Sequence, residues 1–281
     1  MTEEQDLTFN LVDREQERHF IDLCLNRKLD CLIVGPGGIG KTTLLRYIVQ
    51  HAPLVDKCFH PVSIDCSGIV SPEELWLSIA HTLNSSTKGS NVLPPAFGAD
   101  QSSLQAVSDY IRQLLTQHDE KLVICLDSLD TLPVPVLDDL RGFLTYLTES
   151  ESVVFATARD TSLVPVWLLN RFQTLYLGPL SADAVEVAIQ RHFATNSKFV
   201  KPVLVEKIGC LSGGHPGILE LILNDLSEAG TSIEPQLLDL ESRMEAALPD
   251  TGRLTHLTPG QWALKSSTVN DAMLKTLSKD K

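Results

Sequence analysis

The sequence predicts an α/β fold built on a parallel sheet, followed by a smaller all-helical region. Three observations carry this. A short apolar run, DCLIV (30–34), leads into a glycine-rich loop and then into a stretch with helical spacing. Strand-like and helix-like segments alternate from there to about residue 177, the pattern of a parallel sheet covered by helices on both faces. After Ser181 the strand signal stops and only helical patterns remain.

The elements follow in order. LVDREQERHFIDLCLN (11–26) reads as a helix with Phe20, Leu23 and Cys24 on its apolar side. Residues 30–34 read as a strand buried on both faces, because the run is apolar without alternation. TLLRYIVQH (43–51) is a helix that places Leu44, Leu45, Ile48 and Val49 on one face. A second strand is expected at 59–66. SPEELWLSIAHTL (71–83) opens on Ser71, Pro72, Glu73 and Glu74, which combine a helix cap, a first-turn proline and capping acids. Residues 84–100 are rich in Ser, Gly, Asn and Pro and read as a surface loop. A helix at 103–118, a strand at 121–127, a helix at 133–147 and strands at 152–158 and 173–180 complete the sheet region. Helices are expected at 181–193, 203–212, 217–226 and 235–248. The expected domains are therefore an α/β domain over 1–180, carrying the glycine-rich loop read below as a nucleotide site, and a small helical domain over 181–248 that would form its lid. Residues 249–281 form a polar tail or the start of a further domain.

The loop between the first strand and its helix carries the chemistry. GPGGIGKTT (35–43) fits G-x-x-x-x-G-K-[ST], with Gly35, Gly40, Lys41 and Thr42 at the fixed positions and Pro36, Gly37, Gly38 and Ile39 between them. Main-chain N–H groups in such a loop can turn inward onto phosphates, and the helix that begins near Thr43 points its positive end at them. Lys41 supplies a charge near the β- and γ-phosphates, and the Thr42 hydroxyl can reach a Mg²⁺. VICLDSLD (123–130) ends an apolar strand in Asp127, where phosphate-loop NTPases hold the metal. Asp130 either orients or deprotonates the attacking water, or caps the helix near residue 133. Ser128, not Glu, follows Asp127, so hydrolysis is expected to be slow.

Composition limits the partners. Of 281 residues, 43% are hydrophobic and 21% charged, ordinary for a globular chain. Acids outnumber bases 36 to 23, giving a formal charge of −13, and no run of Lys or Arg stands apart, which disfavours DNA as a partner. The six cysteines form no C-x-x-C pair, which argues against zinc. Cys31, Cys58 and Cys125 lie in or beside apolar runs and read as small buried hydrophobes, which suits a reducing, cytoplasmic setting. No apolar stretch approaches the ~20 residues that span a bilayer, and the polar start is no signal peptide.

Taken in order, the motifs resemble the STAND class of phosphate-loop NTPases, the NB-ARC and NACHT branch related to AAA+ proteins within the ASCE group. LVDREQE (11–17) is similar to its entry motif hhGRExE, with Asp13 where Gly is usual. The resemblance implies that Val12 and Arg14 contact the base region. LDSLD (126–130) resembles the NACHT acid motif, although Thr131 stands where a final acid is expected. FATARD (155–160) resembles a strand-end motif whose Arg senses the γ-phosphate; here that is Arg159, beside Thr157, unless it is a plain strand-end arginine. GGHPGILEL (213–221) resembles the GxP motif. By that likeness Pro216 packs near adenine and His215 approaches the phosphates; the alternative is an ordinary turn with proline at a helix start. Arg171, just before the fifth strand, stands where AAA+ proteins carry an arginine finger that acts in trans, or is a surface loop arginine.

These likenesses imply an ATP- and Mg²⁺-dependent switch in signalling or defence. ATP or ADP would lie between the two domains, and nucleotide exchange would change the domain angle or drive assembly with itself or another protein. Two alternatives stand beside it. One is a DNA-associated AAA+ ATPase of the origin-binding or transposition-regulator kind. The other is a nucleotide-binding scaffold that does not hydrolyse.

Overall fold

The computed structural model describes residues 13–86, 109–110, 121–149, 151–195, 200–228 and 233–246, with 272, 274, 275 and 278 from the last stretch. The chain divides into two compact units. One comprises Glu15–Val34 and Lys41–Tyr176. The other takes the described residues of 1–14, the loop Gly35–Gly40, and those of Leu177–Lys281.

The first unit is a five-stranded sheet with helices. Its elements are α1 (Glu15–Arg27), β1 (Cys31–Val34), α2 (Lys41–Val55), β2 (Phe59–Asp65), α3 (Pro72–Ser86), β3 (Lys121–Asp127), α4 (Val134–Glu149), β4 (Val153–Ala158), the short α5 (Val166–Leu169) and β5 (Gln173–Tyr176). The strand order is β2-β3-β4-β1-β5 and every pairing is parallel. Register sets Cys31 beside both Phe155 and Gln173, and Asp65 beside Asp127. β1 and β4 are buried at every position and β3 at all but its ends. Their continuous apolar runs therefore needed no alternation to be read as strands.

The ends of these strands are fixed by side chains. The Asp30 carboxylate accepts from the Val154 N–H at 2.8 Å, tying the start of β1 to β4. At α3 the Glu74 carboxylate accepts from the Val70 N–H and Ser71 Oγ from the Glu74 N–H, so the capped start expected from the sequence is present. The core centres on Trp76, fully buried, whose ring meets Phe143 edge-on at 5.0 Å and whose indole N–H reaches Asp139 at 3.4 Å. Trp76→Ala is expected to cost about 3–5 kcal/mol by leaving a large cavity. Urea unfolding followed by circular dichroism reads it; a loss under 1 kcal/mol would mean the site collapses freely.

The second unit holds α6 (Ala182–Thr195), α7 (Pro202–Ser212), α8 (Pro216–Glu228) and α9 (Ile233–Ala246). They share one apolar core, with Ile189, Phe193, Ile208, Ile218, Ile222, Leu226 and Leu240 fully or almost fully buried. Leu274 packs against it.

Several expectations need correction. The first helix begins at Glu15 rather than 11, because Asp13 takes a left-handed turn (φ 61°) that no helix continues. Its buried face is Ile21, Cys24 and Leu25; Leu23 is exposed. Cys58 is exposed in the turn before β2, where its N–H reaches the Asp56 carboxylate; Cys31 and Cys125 are buried as expected. The fifth strand stops at Tyr176. Residues 84–86 extend α3 instead of opening a loop. The rest of that loop, most of the 103–118 helix and the tail after 249 lie outside the described residues, apart from helical Asp109, Tyr110 and the four positions near the end. No helix among the described residues is long and apolar enough to cross a membrane.

Candidate functional site

In the sheet unit, the carboxyl ends of β3 and β4 meet the start of α2. Asp127 closes β3, and both its oxygens are engaged. Oδ2 accepts from the Thr42 hydroxyl at 2.6 Å and Oδ1 from the Thr157 hydroxyl at 2.5 Å. Thr157, fully buried in β4, also accepts from the Ser128 N–H at 2.8 Å. That bond holds Ser128 in a left-handed conformation (φ 60°) and turns the chain sharply into a 3₁₀ turn at Leu129–Thr131. The turn carries Asp130. Its carboxylate is buried, with 1% of the side chain exposed, and accepts from Arg159 Nε at 3.1 Å. Arg159, one residue past β4, is half exposed. Lys41 lies in the field of all three charges. Burial pulls its ammonium below the ordinary lysine range, Asp130 and Asp127 work against that shift, and Arg159 adds to it.

This brings together five of the residues singled out in the sequence: Lys41, Thr42, Asp127, Asp130 and Arg159. Thr43 sits half-buried in the first turn of α2. Thr157, named in the sequence only as the neighbour of Arg159, joins this cluster through Asp127. Its signal was a lone hydroxyl at the end of an otherwise apolar strand, where it needs a polar partner.

Thr42 and Asp127 also fit a divalent cation. A hydroxyl and a carboxylate already 2.6 Å apart are hard oxygen donors on rigid element ends. Among the described residues no cluster of three or more His, Cys, Asp or Glu could hold a metal alone. Two protein oxygens match Mg²⁺, which keeps waters and takes its remaining ligands from phosphate.

The glycine loop belongs to the other unit. Arg14 is buried and donates through Nη2 to the carbonyls of Ile39 (3.2 Å) and Gly178 (3.0 Å). Asp13, in the place of the expected glycine, adopts the turn that glycine favours. Its carboxylate accepts from the Ser181 N–H at 2.6 Å, and that bond holds its pKa below the usual carboxylate value. Val12 lies outside the described residues. Within the loop the Ile39 N–H closes a turn on the Pro36 carbonyl at 3.4 Å; Gly35 is buried and Gly37 half-buried. Gly38 and Gly40 take positive φ (74° and 101°). His215 is fully buried and its Nδ1 accepts from the Ile218 N–H at 3.3 Å, capping α8 with Pro216 in the first helical position. The Gly217 N–H donates to the Gly38 carbonyl at 2.9 Å.

Arg171 stands elsewhere, in the sheet unit before β5. It pairs with Asp30 at 2.7 Å, at the amino ends of the strands. Burial raises the Asp30 pKa, and Arg171 and the Val154 N–H oppose the rise.

The AAA domain family model matches residues 26–168. Among solved structures, the chain is similar to a Walker-type ATPase of Pyrococcus abyssi, with a TM-score of 0.65 and 18% identity, over 84% of this chain and 73% of that one. Cdc6p of Pyrobaculum aerophilum aligns with a TM-score of 0.61 and 15% identity, over 95% and 80%. The RuvB Holliday junction branch migration motor of Thermotoga maritima aligns with a TM-score of 0.54 and 16% identity, over 85% and 73%. At such identities the likeness is one of fold, and it bears out the parallel-sheet architecture with a helical C-terminal part. A search of the curated proteins gave no match.

Proposed function

This chain belongs to the AAA domain family, and from that premise we propose that it is an ATP-hydrolysing switch with slow turnover. The observation that carries the reading is the charge cluster of Lys41, Asp127, Asp130 and Arg159 at the carboxyl ends of β3 and β4, directly after the glycine loop. In open α/β sheets that edge is where ligands bind.

The residues take these roles. Lys41 neutralises charge on the β- and γ-phosphates, with the loop's main-chain N–H groups beside it. Thr42 and Asp127 would hold Mg²⁺, which when bound would supply charge neutralisation at the phosphate oxygens. Thr157 fixes the Asp127 carboxylate by its hydrogen bond. Asp130 takes the proton of the water that attacks the γ-phosphorus, giving ADP and inorganic phosphate. Before that, Arg159 must exchange Asp130 for the γ-phosphate, which frees the base when ATP arrives. No glutamate adjoins Asp127 to act as a second base, which supports a low rate.

Phosphate release from MgATP by the purified chain tests the activity, with Lys41→Ala as the blank. Arg159→Ala is expected to lower the preference for ATP over ADP by about tenfold, since a charge-assisted bond to the γ-phosphate contributes roughly 1.5–3 kcal/mol. Equal loss of affinity for both nucleotides would remove the sensor role.

The finer reading is a STAND-type switch in signalling or defence, in which exchanging ADP for ATP rearranges domains or drives assembly with itself or a protein partner. Identical small-angle scattering profiles with ADP and a non-hydrolysable ATP analogue would sink it. Within it, Arg171 acts in trans after leaving Asp30. A second reading, a DNA-associated ATPase, is favoured by the likeness to the RuvB branch migration motor and Cdc6p, and opposed by the −13 charge. Turnover that rises with added duplex DNA would decide for it. The sequence limits also support a cytoplasmic setting.

A further inference from the structure

We propose that the entry to α8, through Gly217 and His215, sets the shape of the phosphate loop and so acts as a positioning device for nucleotide binding. The inference rests on the reading of that loop as a nucleotide site. No chemistry has so far been assigned to Gly217.

Two contacts define the device, and both lie within one compact unit. The Gly217 N–H donates to the Gly38 carbonyl at 2.9 Å. A Cβ on Gly217 would come 2.9 Å from that carbonyl oxygen and 3.1 Å from the Gly38 Cα. Both are main-chain atoms, so no rotamer change relieves the clash. From the loop side, a Cβ on Gly38 would come 2.9 Å from Cε1 of His215. His215 cannot swing aside without cost: it is fully buried, its Nδ1 caps the Ile218 N–H, and its carbonyl accepts from the Leu219 N–H at 2.9 Å. One residue earlier the Gly214 carbonyl is fixed by the Leu180 N–H at 2.8 Å.

The consequence follows from the planarity of the peptide. A trans peptide points its N–H opposite to its C=O. Fixing the Gly38 carbonyl on Gly217 therefore fixes where the Ile39 N–H points, into the turn that it closes on the Pro36 carbonyl. Arg14 does the same for the next plane, through the Ile39 carbonyl and the Gly40 N–H. The loop's main-chain planes, and with them the turn and the Gly40 N–H, are thus held from behind by Gly217 and Arg14. Positioning of this kind is set before the ligand arrives, and small displacements are costly.

The test uses the full chain and titration calorimetry with ADP. Gly217→Ala is expected to weaken ADP binding by at least about tenfold, since a displaced cradle forfeits several phosphate contacts. Ala favours helix over Gly, so the substitution strengthens α8 itself and the loss cannot come from a weaker helix. Gly38→Ala is expected to lose at least a similar factor, part of it from the left-handed backbone (φ 74°) that alanine disfavours and part from the contact with His215. His215→Ser removes the imidazole that a Cβ at 38 would meet and keeps a capping oxygen. In the Gly38→Ala background it should restore at least about threefold of the affinity, whereas it should restore nothing to Gly217→Ala, whose clash is with main chain. Circular dichroism checks that each variant is folded, and the Gly38 and His215 pair carries the test if Gly217→Ala is not. The proposal is overturned if folded Gly217→Ala binds ADP within about twofold of wild type, or if His215→Ser fails to rescue Gly38→Ala. Wild-type protein that binds no ADP would instead overturn the nucleotide reading, and this proposal with it.

Discussion

Lys41→Ala is expected to weaken ATP binding by roughly 100-fold, about 3 kcal/mol, the size of loss seen when one partner of a desolvated charge pair is truncated. The side chain is half-buried, so its charge is only partly screened by solvent. It also offsets Asp127 and Asp130, which would otherwise repel a polyphosphate. Removing it therefore subtracts an attraction and uncovers a repulsion at the same place. Lys41→Arg should fall between wild type and alanine, because the charge remains but a planar fork does not fit a slot shaped for an ammonium. Calorimetry with ATP in the presence of Mg²⁺ gives both values. Affinity unchanged in Lys41→Ala would end the assignment of residues 35–43 as a phosphate cradle.

Asp130→Asn is expected to lower turnover by about 100-fold or more while leaving ATP affinity within roughly threefold, the split that follows from losing a general base and little else. The substitution is nearly isosteric, and an amide oxygen can still accept from Arg159 Nε, so the buried turn survives. Single-turnover measurements with ATP separate binding from chemistry. If turnover is unchanged, Asp130 serves only to hold Arg159. In that case Asp130→Ala, which cannot hold the guanidinium, and Arg159→Ala should share one phenotype, a weaker preference for ATP over ADP with hydrolysis intact.

What was legible in the chain was local. β1, β3 and β4 could be read because strands buried on both faces must be apolar throughout, and the glycine loop because its spacing is dictated by phosphate geometry. Lys41, Thr42 and Asp127 came with them, since their positions are fixed by the ends of those elements. Long-range partners were not legible. Nothing near Arg14 in sequence announces that its guanidinium will reach the carbonyl of Gly178, because that contact depends on how the chain returns after β5. The role of Thr157 was hidden for the same reason: its partner Asp127 lies on the neighbouring strand. Leu23 misled because single exposed leucines are common, and the burial of Ile21, Cys24 and Leu25 shifts the helix face by less than one turn. Asp13 is the converse case. Its departure from the glycine of the resembling motif left the turn intact, because an acid can adopt positive φ when its side chain finds a nearby N–H, here that of Ser181.

The strand order also has a meaning for how the protein is made. β1 is the first strand to be synthesised, yet neither of its neighbours, β4 and β5, exists until roughly 120 residues later. At ribosomal speeds of about 5–20 residues per second, its two hydrogen-bonding edges wait on the order of 10 s for partners. During that interval an apolar four-residue strand and the glycine loop behind it have no sheet to join. β2 and β3, adjacent in both sequence and sheet, can pair sooner. A chain released before Val153 would therefore carry the glycine loop while β1 still lacked both of its sheet neighbours.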